Sequence, residues 1–119
     1  ERTTLRFIWA AAILFRLTVL PLYPSHSEDV VRYRWQGAMQ AAGGDPYVDA
    51  PQDARWESLR DETWPHVARK DLTSVYGPVY EQINVHYFKF IHSFGANART
   101  EVWLFKIPFA LADLAVAGY

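Results

Sequence analysis

Apolar positions crowd the two ends of the chain, and charged and polar positions crowd its middle. Leu5–Leu22 reads LRFIWAAAILFRLTVLPL, an apolar run broken by Arg6 and Arg16. A membrane-spanning helix needs roughly 20 mainly apolar residues, so residues 1–22 are read as a first transmembrane helix. Arg2 and Arg6 before the run orient its N-terminus toward the cytoplasm. A secretory signal peptide would share the charged start. Arg16 inside the run and the lack of a small-x-small cleavage site argue against one. A lipid-facing Arg16 would cost about 2.5–3.5 kcal/mol on insertion. It must therefore face protein or reach the headgroups, either to contact a lipid phosphate or to pair with a carboxylate.

Residues 23–76 form a polar stretch carrying Trp35, Trp56 and Trp64. Ser25-x-x-Glu28 has the spacing of a capping box and predicts a helix running to about Ala42. Gly43-Gly44 stops that helix, and Asp45-Pro46 turns the chain. A second short helix is predicted over Gln52–Arg60 with Pro51 at its first position, and Trp64–Thr73 reads as irregular. Pro78 suits the first turn of a helix over residues 77–94, with Val79, Ile83, Tyr87, Phe90 and Phe94 as an apolar stripe. Its polar residues fit a helix inside a bundle. Residues 95–101 make a short loop, and 102–119 a third apolar helix. These segments predict an all-α membrane protein. The polar stretch 23–76 lies outside the cytoplasm, and residues 95–101 lie inside.

The chain opens on Glu1 and stops within an apolar run at Tyr119, so a fragment of a longer protein is expected. In its 119 residues the net charge is −1, which gives no electrostatic footprint for nucleic acid. With no cysteine, neither a disulfide framework nor a thiolate metal site can form. Aromatic residues make up 16%, and several of them sit in the polar stretch, where a solvated linker would have few.

The candidate chemistry centres on Ser27-Glu28-Asp29-Val30-Val31-Arg32-Tyr33-Arg34-Trp35-Gln36-Gly37. Asp29, Arg32, Tyr33 and Gln36 are spaced i, i+3, i+4 and i+7 and share a helical face. Asp29 falls in the first turn, where the helix dipole favours a negative charge. An ionised Asp there beside an arginine can accept a proton from a hydroxyl. Glu28 stands next to it, although its spacing from Ser25 also gives it a capping role. The plainer reading of the group is an acidic helix start with an i, i+3 ion pair. Tyr47 and Tyr76 add aromatic hydroxyls at turns. Asp113, inside the third apolar run, is a further candidate for a polar contact. The four histidines form no short ligand motif. A divalent metal held by Asp29 with His26 or His66 stands as the alternative to a metal-free site.

Five motifs in order resemble the N-terminal part of a GT-C superfamily membrane glycosyltransferase, of the bacterial mannosyltransferase-like branch that uses polyprenyl-phosphate sugars. They are an Arg-containing first span ending in Pro; Ser-Glu-Asp-Val-Val-Arg-Tyr-x-Trp-x-Gly; Gly-Gly-Asp-Pro-Tyr-x-x-Ala-Pro; Asp-Leu-Thr-Ser-Val-Tyr-Gly-Pro-Val; and Lys-Ile-Pro-Phe-Ala-Leu-Ala-Asp-Leu. The resemblance implies the N-terminal fragment of a polytopic helical bundle with a large helical extracytoplasmic first loop, in a bacterial inner membrane. It implies inverting transfer of a mannose-like hexose from a polyprenyl-phosphate donor to a glycan, lipid or protein acceptor. Asp29 matches the acidic residue that serves as base, with Glu28 beside it. Arg32, Tyr33, Tyr47, Tyr76 and Arg16 are the implied substrate contacts. Gln36 departs from the pattern where relatives carry a second Asp, and Gly77 departs where a Pro-Pro pair is commoner. A fragment of this kind is expected to be inactive alone. The rival classes are a non-enzymatic polytopic membrane protein, such as a transporter or assembly subunit, and a soluble aromatic-rich binding domain that buries Leu5–Leu22.

Overall fold

The computed structural model of the protein describes residues 1–22 and 28–117. Ser25 and His26 therefore lie outside the described residues. Four α-helices follow one another: α1 (Arg2–Val19), α2 (Asp29–Ala41), α3 (Pro78–His92) and α4 (Ala98–Ala117). Two 3-10 turns, Ala54–Leu59 and Trp64–His66, lie in the long connection between α2 and α3. No strand occurs among the described residues, so the fold is all-helical.

Helix α2 is the centre of the molecule. Val31, Trp35 and Met39 recur at helical spacing, are almost wholly buried, and pack against Trp56, Val67 and Val102. A second cluster joins Phe88 and Ile91 of α3 to Phe105 of α4. Gly37 sets how closely α2 meets α3. A Cβ there would lie 2.6 Å from Phe88 Cβ, so only glycine allows the two helices to touch. The helix ends in a Schellman arrangement. The amide of Gly43 donates to Gln40 O at 3.0 Å and that of Gly44 to Met39 O at 3.0 Å, with Gly43 at φ +93°.

Several boundaries differ from the sequence expectation. Helix α2 starts at Asp29, so Glu28 is the cap residue itself and not the third helical residue that a capping box requires. Glu28 is held by His66, whose Nδ1 lies 3.0 Å from Glu28 Oε1. The helix expected over Gln52–Arg60 is the 3-10 turn Ala54–Leu59. Asp53 caps the preceding turn instead, through the amide of Ala50 at 2.7 Å, which uses residues 50–53 as a loop. Helix α4 begins at Ala98, four residues before the apolar run, because Asn97 Oδ1 accepts the amide of Thr100 at 2.9 Å.

Charge also organises the interior. Arg34 of α2 donates through Nε to Glu101 of α4 at 2.8 Å and pairs with Asp61 of the connecting segment. Glu101 is fully buried and also accepts from His92 Nδ1 at 2.6 Å. Burial works to raise the Asp61 pKa, but hydrogen bonds from Thr63 and Arg34 outweigh it and hold the carboxyl below its usual range.

Helix α1 has no buried residue and touches the remainder of the domain only along α4. Two contacts fix it. Arg16 pairs with Asp113 at 2.5 Å, and Lys106 Nζ donates to the carbonyls of Val19, Leu20 and Leu22 at 3.2, 3.0 and 2.7 Å, closing the C-terminal end of α1. Among the described residues no helix is long and apolar enough to cross a membrane. The segments expected as spans are helices, but α1 carries Arg2, Arg6 and Arg16, and α4 carries Arg99, Glu101, Lys106 and Asp113.

Two outcomes follow from this packing. Gly37→Ala should overpack the α2–α3 crossing and destabilise the protein by about 1–3 kcal/mol, read as a lowered midpoint in thermal unfolding. An unchanged midpoint would refute the close-contact role. Asp61 titrates below its unfolded value in the folded state. Its contribution is therefore complete above the unfolded carboxylate pKa and is lost as pH falls through the folded one. Asp61→Asn should be less stable than the parent near neutrality, with the gap closing below about pH 4 in denaturant titrations.

Candidate functional site

A pocket of about 290 Å³ opens between the N-terminal half of α2 and the segment from Ala68 to Tyr76. Asp29, Arg32 and Gln36 line it from α2, and Arg69, Thr73, Ser74 and Tyr76 are among the residues that line it from the opposite wall. Asp29 lies at the exposed start of the helix, in the first turn, where unsatisfied backbone amides favour its negative charge.

Arg32 is buried and fully engaged inside the protein. Its Nε donates to Gln36 Oε1 at 3.1 Å. Nη1 donates to Ala68 O at 3.1 Å and Arg69 O at 2.6 Å, and Nη2 to Leu72 O at 2.6 Å. Four of the five N–H groups of a guanidinium are thus committed. Burial lowers the Arg32 pKa, and the charge of Glu81 leads the terms that oppose it. The guanidinium pins a wall that would otherwise be an unsupported loop. It also holds Arg69 at φ 47°, the single non-glycine residue with positive φ among those described. That conformation costs an ordinary side chain of order 1–3 kcal/mol and persists only where the surroundings over-determine it.

Glu81 of α3 secures the other end of the wall. It is 2% exposed. Its Oε1 accepts from Gln36 Nε2 at 2.9 Å and from the Ser74 hydroxyl, and its Oε2 accepts from Gln40 Nε2 at 2.6 Å. Ser74 Oγ in turn accepts the amide of Tyr76 at 3.1 Å. Gln36 is therefore the link between Arg32 and Glu81. An amide can do this because it accepts from one partner and donates to the other, which a carboxylate cannot.

Asp29, Arg32, Gln36 and Tyr76 are brought together, and the remaining candidates stand apart. Tyr33 turns toward an aromatic group, with its hydroxyl 2.9 Å from that of Tyr76 and its ring against Tyr80 and Phe109. Burial first, then the Tyr76 hydrogen bond, raises its pKa well above the usual phenol range. Tyr47 donates to Tyr76 O at 2.9 Å and lines a separate, more polar pocket beside α3. Arg16 sits at the α1–α4 contact with Asp113. Glu28 does not line the pocket and meets His66 instead. Among the described residues no group of three or more His, Cys, Asp or Glu is arranged to hold a metal.

Arg69 and Glu81 were not among the sequence candidates. Arg69 sits in a stretch with no periodicity, and its place depends on Arg32 reaching across from another element. Glu81 offered a weak signal as a carboxylate on the face of α3 that meets the two glutamines of α2.

The site is a pocket in an all-helical domain that a carboxylate, Asp29, and a cation, Arg69, both line. The whole chain, residues 1–119, matches the family described as Alpha-(1->6)-mannopyranosyltransferase, N-terminal domain, and it belongs to that family. No curated protein and no solved structure matches it. The domain is thus the N-terminal part of a mannosyltransferase, a glycosyltransferase that requires a sugar donor and an acceptor.

Replacing Arg32 by Lys keeps the charge but removes the fork that spans three carbonyls and Gln36. We expect a loss of about 2 kcal/mol in stability and faster amide exchange at residues 68–72. Exchange at parent rates there would contradict the anchoring role.

Proposed function

We propose that the pocket between α2 and the 68–76 wall is where the mannosyl group passes to its acceptor, with Asp29 as the general base. The observation that carries this reading is the exposed carboxylate of Asp29 in the same pocket as a cationic wall. The acceptor hydroxyl gives its proton to Asp29 and attacks the anomeric carbon. The bond from that carbon to the donor phosphate oxygen breaks, and the phosphate leaves with the electron pair. Phosphate is already a good leaving group, so a base and a stabilising positive charge suffice.

Arg32 is the expected cation by sequence, but its guanidinium is already occupied. Arg69 is exposed and lines the same pocket, so it supplies the charge that faces the leaving phosphate. Transfer proceeds with inversion, and the α linkage in the family description then requires a β-linked donor. The donor class we favour is a polyprenyl-phosphate mannose, within a GT-C type enzyme at the outer face of a bacterial inner membrane. Support comes from the large apolar side chains that α1 leaves exposed, including Leu5, Phe7, Leu14 and Phe15, beside a polar helical domain. Glu28 acts from outside the pocket lining, Tyr76 and Tyr33 form the pocket's aromatic border, and Tyr47 and Arg16 contact substrate more remotely. A divalent metal is not needed for this chemistry.

In the full-length enzyme Asp29→Asn should lower mannosyl transfer at least 10²-fold at unchanged expression. Near-normal transfer by the folded variant would remove Asp29 from the mechanism. A β-linked polyprenyl-phosphate mannose should serve as donor where its α-linked isomer does not, and use of the α-linked isomer would remove the inverting mechanism.

A further inference from the structure

Glu81 has no place in the chemistry just described, yet it is the most deeply buried acid that touches the pocket's supports. It lies on α3, outside the motif that carries Asp29. Its carboxylate accepts from the Ser74 hydroxyl and the Gln36 amide on one oxygen and from the Gln40 amide on the other. No lysine or arginine pairs with it directly within the salt-bridge distance among the described residues. Arg32 is its counter-charge at one remove, across the Gln36 amide. A buried carboxylate without a direct cation is expensive to keep. Three neutral donors aimed at it make the arrangement tolerable and fix its orientation.

The consequence lies at the wall. Ser74 donates to Glu81, accepts from the Tyr76 amide, and has its own amide on Pro46 O at 2.7 Å. The segment from 74 to 76 is therefore held at Ser74 by the Glu81 carboxylate and the Pro46 carbonyl, and at Tyr76 by the hydroxyls of Tyr33 and Tyr47. The segment from 68 to 72 is held by Arg32, whose orientation depends on Gln36, and Gln36 depends on Glu81. Both ends of the wall have an anchor that leads back to Glu81, whereas Asp29 stands at the start of α2.

We infer that Glu81 is a positioning residue that fixes the 68–76 wall, and with it Arg69, for the phosphate-bearing mannosyl donor, while leaving the acceptor side at Asp29 unaffected. The inference rests on the proposed transfer reaction in this pocket. It assigns a division of labour: α2 presents the base, and α3, through one buried carboxylate, presents the donor wall.

The test is a kinetic comparison in the full-length enzyme with β-linked polyprenyl-phosphate mannose as donor and an alkyl α-(1→6)-mannobioside as acceptor. Glu81→Gln places an amide where three donors converge and removes the charge that faces Arg32. It should raise the donor KM at least tenfold and lower kcat as the charge that meets the leaving phosphate is displaced, with the acceptor KM changed less than about threefold. Amide exchange should rise at residues 68–76 and stay at parent rates in α4. Ser74→Ala, which removes one contact and leaves the carboxylate buried and charged, should shift the donor KM in the same direction by a smaller factor. It also stands in if Glu81→Gln does not fold. An unchanged donor KM in a folded variant overturns the inference. So does a fall in kcat at constant KM, which is what a smaller folded fraction would give. Asp29→Asn separates the two readings. If it retains transfer while Glu81→Gln still raises the donor KM, the base assignment fails and the wall assignment stands. If Asp29→Asn is inactive and Glu81→Gln behaves as the parent, the reverse holds.

Discussion

Everything around α2 is arranged to bury positive charge. Arg32 and Arg34 are both nearly inaccessible and leave the helix on different sides. A guanidinium cannot shed its proton, so each had to be given acceptors or left as an unpaired interior charge. The two solutions differ. Arg34 is matched by two carboxylates, Glu101 and Asp61, and ties α2 to α4 and to the segment before the Trp64 turn. Arg32 is matched mainly by backbone carbonyls, and so it organises a segment that has almost no regular structure. One arginine joins helices and the other shapes a pocket. The rest of the connection between α2 and α3 takes its course from these two demands, with Trp35 and Trp64 filling the apolar space between them at 5.6 Å between ring centroids.

The helical class, the C-terminal end of α2 and the start of α3 were legible in the sequence because they depend on local signals. Gly43-Gly44 can only stop a helix, and Pro78 can only open one. The common face of Asp29, Arg32 and Gln36 also follows from spacing alone. What spacing could not reveal is the partner of each residue. Arg32 and a nearby carboxylate on one helix read as an i, i+3 pair, but the guanidinium donates to carbonyls some forty residues away in the chain. The same limit hid Arg69, whose backbone conformation exists only because Arg32 holds it. The short helix expected over Gln52–Arg60 failed for a related reason. Asp49 and Asp53 satisfy nearby groups with their side chains, which gives the backbone an alternative to helical bonding.

Helix α1 shows a different use of charge. It brings no buried residue to the core, and its attachment is polar: the Arg16–Asp113 pair and the three carbonyls held by Lys106. The charges that shorten the apolar runs of α1 and α4 are the same ones that join them. An arginine and an aspartate that would each be costly in an apolar setting become tolerable when they meet. The apolar character of these segments and their interruptions are therefore parts of one design, in which helix–helix contact consumes the charge.

The departure of Gln36 from the family pattern gains meaning from the same principle. A second aspartate at that position would direct a shorter carboxylate toward Glu81 and could not donate the hydrogen bond that the Gln36 amide supplies. With glutamine there, Glu81 keeps a donor at Oε1, Arg32 keeps an acceptor at Nε, and Gln40 completes the set. Asp29 is then the carboxylate that α2 contributes to the pocket lining, and Glu81 supports the opposite wall from α3 through Ser74.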